Sequence, residues 1–233
     1  MPLALTGEFL NKLENGQKVT VVALGDSITE LTWHTAGRLS WVGYLQEALF
    51  ETYGRNLCCV INSGRCGDTA AEGSNRLEED VLRFNPDLVI ISYGMNDAGG
   101  DVEEFRTALG SLIDRVRDHN GAAVLLRTPN PIVNPPQTVN LQDGQEPAVE
   151  TAGTKQSLFA ATIVEVADQR GCAVVDHYKC WKRLEGQRGV RREEPNELWL
   201  HMSDCIHPGP LGHLAFFREL APLFKVPSTF PWE

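Results

Sequence analysis

Long apolar runs are missing from these 233 residues, and so is any excess of positive charge. No stretch approaches the length that crosses a bilayer, and Met1 to Asn15 lacks the basic start, apolar centre and small-residue cleavage site of a secretory leader. Read as a whole natural chain, the sequence predicts a cytoplasmic protein without a membrane span. Its 21 Lys and Arg stand against 31 Asp and Glu, a net charge of -10 with an isoelectric point near 5.1. That is the opposite of the basic footprint that nucleic acid or an anionic membrane requires. Arginines cluster only between Arg188 and Arg192, where Glu193 and Glu194 follow at once, so a solvated loop is expected there. The six cysteines, at 58, 59, 66, 172, 180 and 205, form no CxxC pair, which points to free thiols and away from a structural zinc. A glycine-rich phosphate fingerprint, a P-loop and internal repeats are also absent.

What remains is the composition of a packed globular chain, 42% hydrophobic and 22% charged, of a length that suits one domain over residues 1–233. Val19 to Leu24, Leu57 to Ile61, Asp87 to Tyr93, Ala122 to Leu126 and Ala173 to Asp176 are short apolar runs that read as buried strands. Helical spacing fills the intervals at Trp41 to Tyr53, Ala70 to Phe84, Val102 to His119 and Lys155 to Arg170, and again at Pro210 to Phe224. Strands separated by helical crossovers cannot pair as hairpins. They predict a three-layer α/β fold with a parallel sheet of about five strands. Two stretches break the alternation, proline-rich 129–153 and irregular 184–202, and both are expected to be long loops.

Four short polar motifs carry the chemistry. Gly25-Asp26-Ser27-Ile28-Thr29 ends the first strand, Asn62-Ser63-Gly64 the second and Gly94-Met95-Asn96-Asp97 the third; Asp204-Cys205-Ile206-His207 lies near the C-terminus. Three of them follow successive parallel strands, so they meet at the C-terminal edge of the sheet, where open α/β folds bind ligands. A serine hydroxyl needs a base, and a histidine base needs a carboxylate that fixes its tautomer. Ser27 is the expected nucleophile, His207 the base and Asp204 its acid. The backbone N–H groups of Ser27 and Gly64 and the side-chain amide of Asn96 are the expected oxyanion donors.

The blocks GDSIT, NSGRCGDT, GMND and DCIHPGPLGH, which extend from Gly25 to His213, resemble the four signature blocks of the SGNH hydrolases, also called the GDSL esterase/lipase family. The resemblance implies a flavodoxin-like sheet of order 2-1-3-4-5 and a Ser-His-Asp triad at Ser27, His207 and Asp204, with Gly64 and Asn96 in the oxyanion hole. It also implies neither metal nor organic cofactor. The GDSIT variant is similar to the branch with carbohydrate acetylesterases and platelet-activating-factor acetylhydrolase-like proteins, which implies a small acyl, acetyl ester as substrate, on a small molecule or a carbohydrate.

Other residues compete for these roles. Asp26 and Asp97 are expected to tie down loops, and His201, three residues before Asp204, is the rival base. His201 and Trp199 are alternatively pocket-lining residues. His34, His119, His177 and His213 fall in a loop, at a helix end, after the fifth strand and in the closing helix. Cys66 and Cys205 flank motif residues, which raises a thiol pair beside the site against two unrelated small buried residues. The functional reading is a metal-independent serine esterase acting through an acyl-enzyme. A lysophospholipase or acyl-thioesterase is the rival among enzymes, and a non-catalytic binding protein using the same crevice is the rival of another class.

Overall fold

β-branched and aliphatic runs buried on both faces suit the interior of a parallel sheet and little else. In the computed structural model, which describes residues 7–30, 33–133, 150–184 and 197–230, the expected runs form β1 (Val19–Gly25), β2 (Cys58–Gly64), β3 (Leu88–Ser92), β4 (Ala123–Arg127) and β5 (Ala173–Val175); β2, expected to be buried, is an edge strand with Cys59 and Asn62 exposed. All pairs are parallel and the order is β2-β1-β3-β4-β5, the expected flavodoxin-like arrangement.

Successive strand residues point to opposite faces, and the two faces build two cores. Val21, Ala23, Leu88, Ile90, Ala123 and Leu125 face one layer, made of α1 (Gly7–Glu14), α3 (Trp41–Tyr53) and α10 (Pro210–Leu220). Val22, Leu24, Val89, Ile91, Val124 and Leu126 face the other, made of α4 (Ala70–Asn75), α5 (Leu77–Asp80), α6 (Val102–Asn120) and α7 (Glu150–Arg170). Shorter helices complete the described chain: α2 (Ser27–Glu30), α8 (His177–Lys182) and α9 (Glu197–Leu200).

Local signals explain most boundaries. Ser40 caps α3, accepting the Gly43 N–H, and Asp101 caps α6, accepting two N–H groups; Gly121 closes α6 in the left-handed region. The continuous helix expected over Ala70 to Phe84 is instead α4, α5 and a 3-10 turn at Leu82–Phe84. Its break falls at Arg76, whose guanidinium turns inward to the carboxylates of Asp68 and Asp80, the carbonyls of Ser63 and Gly25 and the hydroxyl of Tyr93. The closing helix expected to reach Phe224 becomes a 3-10 turn from Ala221, where Pro222 has no N–H to continue the ladder. Helix α7 starts at Glu150, inside the first expected loop; residues 134–149 of that loop and 185–196 of the second lie outside the described residues. No described helix is long and apolar enough to cross a membrane.

Candidate active site

Strand register brings the first three motifs together. Gly25 pairs with Gly64 on one side and with Ser92 on the other, so β1, β2 and β3 end level and their following loops share one edge. Directly after β1 the chain enters α2, a single turn that starts at Ser27. Asp26 shapes this turn: its side chain accepts the Ile28 N–H at 3.0 Å and its carbonyl accepts the Thr29 and Glu30 N–H groups.

The fourth motif arrives from the opposite end of the chain. Residues 201–209 fold back on themselves, with a bridge between Met202 and Pro208, the Ser203 N–H on the His207 carbonyl and the Gly209 N–H on the His201 carbonyl. In this loop Asp204 Oδ1 accepts the N–H groups of Ile206 and His207, each at 2.7 Å, and Asp204 Oδ2 accepts the His207 Nδ1–H at 2.8 Å. Burial raises the Asp204 pKa, but these three hydrogen bonds outweigh it and hold the carboxyl below its ordinary value. With Nδ1 protonated, His207 Nε2 is left as an acceptor, and Ser27 Oγ lies 3.1 Å from it. Ser, His and Asp therefore stand in hydrogen-bonded sequence across 180 residues of chain.

Buried Asn130, just past β4, anchors this loop: its side-chain N–H groups donate to the Ile206 carbonyl at 2.9 Å, and the Val133 N–H donates to the Cys205 carbonyl. Gln156 of α7 holds that segment in turn, donating to the Asn130 carbonyl and accepting the Ile132 N–H. Sequence reading missed Asn130 because a polar residue in a proline-rich stretch looks like any loop residue.

The residues expected as oxyanion donors divide. Asn96 Nδ2 donates one hydrogen to the Asp68 carbonyl at 2.8 Å and keeps a second. The Gly64 N–H is engaged, donating to Asn62 Oδ1 at 3.0 Å, and Gly64 lies against the backbone of Thr29 and Glu30 where a Cβ would overlap it. Gly67, three residues on, has a positive φ of 82°, open space where a Cβ would stand and, among the described residues, no acceptor for its N–H. It immediately precedes Asp68, whose carbonyl holds Asn96. Asp97 stabilises this corner as expected, accepting the N–H groups of Ala70 and Gly94.

Beneath the site lies a buried charge cluster that no motif signalled. Arg127, at the end of β4, is sandwiched between the rings of Trp41 and Phe216, 4.3 and 4.1 Å from their centroids. Burial pulls its pKa down to about 9, against the opposing pull of Asp26 and Glu219. Burial likewise lifts Asp26 and Glu219 to about 7 each, with Arg127 among the groups that oppose the rise. His177 bonds Glu219 and His213 accepts the Trp41 N–H; burial, reinforced by Arg127, keeps both imidazoles neutral, His213 down to about 3.

Other candidates take structural places. His201 packs its ring on Trp181, 5.5 Å between centroids, and its carbonyl holds Gly209. The Trp199 side chain lies outside the described residues. All six cysteines are free; Cys66 is exposed, its N–H on the Glu30 carboxylate, and Cys205 is half-buried. His34, read from sequence as a loop residue, is buried against His207 with ring centroids 4.2 Å apart and planes 14° apart. His34, Asp204 and His207 bring ligating atoms within 4.8 Å of one another. Nearly parallel rings cannot both aim an in-plane lone pair at one ion, so this group fits a metal poorly.

A family model described as GDSL-like Lipase/Acylhydrolase family matches residues 23–215. An arylesterase of Vibrio mimicus is 30% identical over 109 residues, 46% of this chain and 53% of that protein, so the matched stretch spans about half of that relative. An acetylxylan esterase of Geobacillus stearothermophilus is 24% identical over 235 residues, covering 90% of this chain and 96% of the other. Among solved structures, the acetylxylan esterase Axe2 of the same organism superposes with a TM-score of 0.72 at 20% identity, over 93% of this chain and 98% of that one. LAE5, an α/β hydrolase enzyme from the metagenome of Lake Arreo, superposes with a TM-score of 0.68 at 21% identity, over 90% and 96%.

Proposed function

This chain belongs to the GDSL-like lipase/acylhydrolase family, a family of ester-hydrolysing serine hydrolases, and on that premise we propose that it removes a small acyl group, acetyl, from a carbohydrate or similar alcohol through an acyl-Ser27 intermediate. The observation that carries this reading is the unbroken hydrogen-bonded order Ser27, His207, Asp204. Ser27 Oγ attacks the ester carbonyl carbon as its proton passes to His207 Nε2. Asp204 stabilises the imidazolium through Nδ1–H. His207 then gives the proton to the leaving alcohol oxygen, and acyl-Ser27 remains. Water attacks it, losing a proton to the same nitrogen, and collapse frees the acid and restores Ser27.

The negative oxygen of each tetrahedral intermediate needs donors set in advance. Ser27 N–H and the second Asn96 hydrogen fill two places. Gly67 N–H, not Gly64 N–H, fills the third, because Asn62 already holds Gly64. The names of the relatives favour an acetyl group and a sugar or aryl leaving group. Trp33 agrees with them: its indole is 68% exposed and stacks on His34 beside the catalytic base, a flat platform at the mouth of the site.

Hydrolysis of p-nitrophenyl acetate and labelling by a fluorophosphonate test the reading together. We expect turnover, a single adduct on Ser27, and loss of nearly all activity in Ser27→Ala and His207→Ala with the fold intact. Activity that survives in His207→Ala but disappears in His201→Ala overturns the base. A structure of the phosphonylated enzyme decides the third donor, since the phosphoryl oxygen is expected within hydrogen-bond reach of Gly67 N and not of Gly64 N. Esters of increasing acyl length separate this reading from a lipase acting on long chains, with a steep fall expected beyond short acyl groups.

A further inference from the structure

A catalytic imidazole is held in a triad at its two nitrogens only, and these fix its edges rather than the tilt of its plane. In this protein the plane has a partner. The His34 ring, in the 3-10 turn Trp33–Thr35, lies face to face with His207, centroids 4.2 Å and planes 14° apart. Trp33 covers the other side of His34, 3.5 Å between centroids. His34 Nδ1 lies 2.8 Å from Ser203 Oγ and 4.0 Å from Asp204 Oδ2, so the turn that follows the nucleophile grips the very loop that carries acid and base.

We propose that His34 is a positioning residue that fixes the plane of His207 through ring stacking, with its bond to Ser203 as the latch, and that its π face accommodates the imidazolium form of His207 during the reaction. This rests on the esterase reading of the site. Charge supports it. Burial lowers the His34 pKa, the positive charge of His207 lowers it further, and Asp204 opposes both; the groups around it are His207, Asp204, Ser203 and Trp33, with buried His213 coupled through space. A charge on one ring therefore disfavours a charge on the other, and an aromatic face attracts a cation that a charged ring would repel.

His34→Phe keeps a flat ring without nitrogens, and His34→Ala removes it. With p-nitrophenyl acetate we expect kcat of His34→Ala to fall about 10- to 100-fold, the scale of a misplaced catalytic group, while KM moves less than about threefold. His34→Phe is expected to recover kcat to within about threefold of the parent. Ser203→Ala, which like His34→Phe removes the latch and leaves a ring stacked on His207, is likewise expected within about threefold of the parent. A second readout needs no turnover: in protein labelled with ¹⁵N-histidine, the His207 Nδ1–H resonance bonded to Asp204 should be present in the parent and His34→Phe and broadened by exchange in His34→Ala. A His34→Ala variant with parental kcat and an unbroadened resonance overturns the proposal, and so does a His34→Phe variant as impaired as His34→Ala. Failure of the esterase reading is separate, because it shows as an inactive parent with Ser27 unlabelled while the resonance is still measured.

Discussion

Asn96 has two hydrogens on one nitrogen, and the structure spends only one of them inside the protein, on the Asp68 carbonyl. If the other meets the oxyanion, Asn96→Ala should lower kcat by about 10²- to 10³-fold, the usual cost of one lost donor, with the phosphonate labelling rate of Ser27 falling in parallel. The loop should survive the change, because Asp68 is also held by Arg76 at 2.5 Å. A variant that loses stability and activity together would mark Asn96 as a loop residue instead. Ser27, His207 and Asp204, which the fold brings into one hydrogen-bonded order, and Asn96 could be singled out in the sequence because each is a chemical type that its motif demands. Gly64 and Gly67 were not separable in that way. Both are glycines of one block, and only the hydrogen bond from Gly64 to Asn62 tells an occupied N–H from an open one.

Secondary structure elements were readable where local signals and burial agree. Helix α3 runs over the expected residues because Ser40 caps it and Gly54 ends it, with Trp41, Leu45, Ala48 and Leu49 forming the buried stripe between. The helical run expected over 70–84 failed at Arg76, where ion pairs to Asp68 and Asp80 and three further hydrogen bonds outcompete regular helix; nothing in the local pattern announces the partners of those three, 13 to 51 residues distant. Its first segment, α4, starts with a capping box in which Thr69 and Glu72 satisfy each other's N–H groups. Thr69→Ala should therefore cost about 1 kcal/mol. For a chain of this size that is about 2–4 °C in Tm, read by a thermal melt. No loss would mean that tertiary contacts, and not the cap, fix the start of α4.

Across the whole molecule, the least expected feature is a cation placed in the core beside the Asp26-Ser27 turn. Arg127 joins β4 to the layer of α3 and α10 through Trp41 and Phe216, and its field offsets Asp26 at one end and Glu219 at the other. Asp26 and Glu219 have folded pKa values raised to about 7, so their contribution to stability is complete below their unfolded values and is lost as pH rises through about 7. Without Arg127 their ionisation in the fold becomes harder still. Arg127→Met keeps the stem between the rings and removes the charge; we expect it to destabilise by about 3 kcal/mol, with the gap from the parent widening as pH rises above 7. Denaturant melts at pH 6 and pH 8.5 measure this. A gap that shrinks with pH would show that the cation does not oppose these carboxyls.

The sequence alone determined what short-range chemistry and periodicity encode: five strands with helical crossovers, the convergence of three motifs on one sheet edge, and the residue types of an acyl-transfer site. Spacing of apolar residues dictates which faces are buried, and parallel pairing then leaves the loops after β1, β2 and β3 no other edge to share. Tertiary structure decided what depends on distance through space. The stacking of His34 on His207, the anchoring of the Asp204 loop by Asn130 and the burial of Arg127 between two rings join residues 76 to 173 positions apart. Hydrogen bonds and ring contacts of that kind act over a few ångströms, so they exist only once the chain has folded.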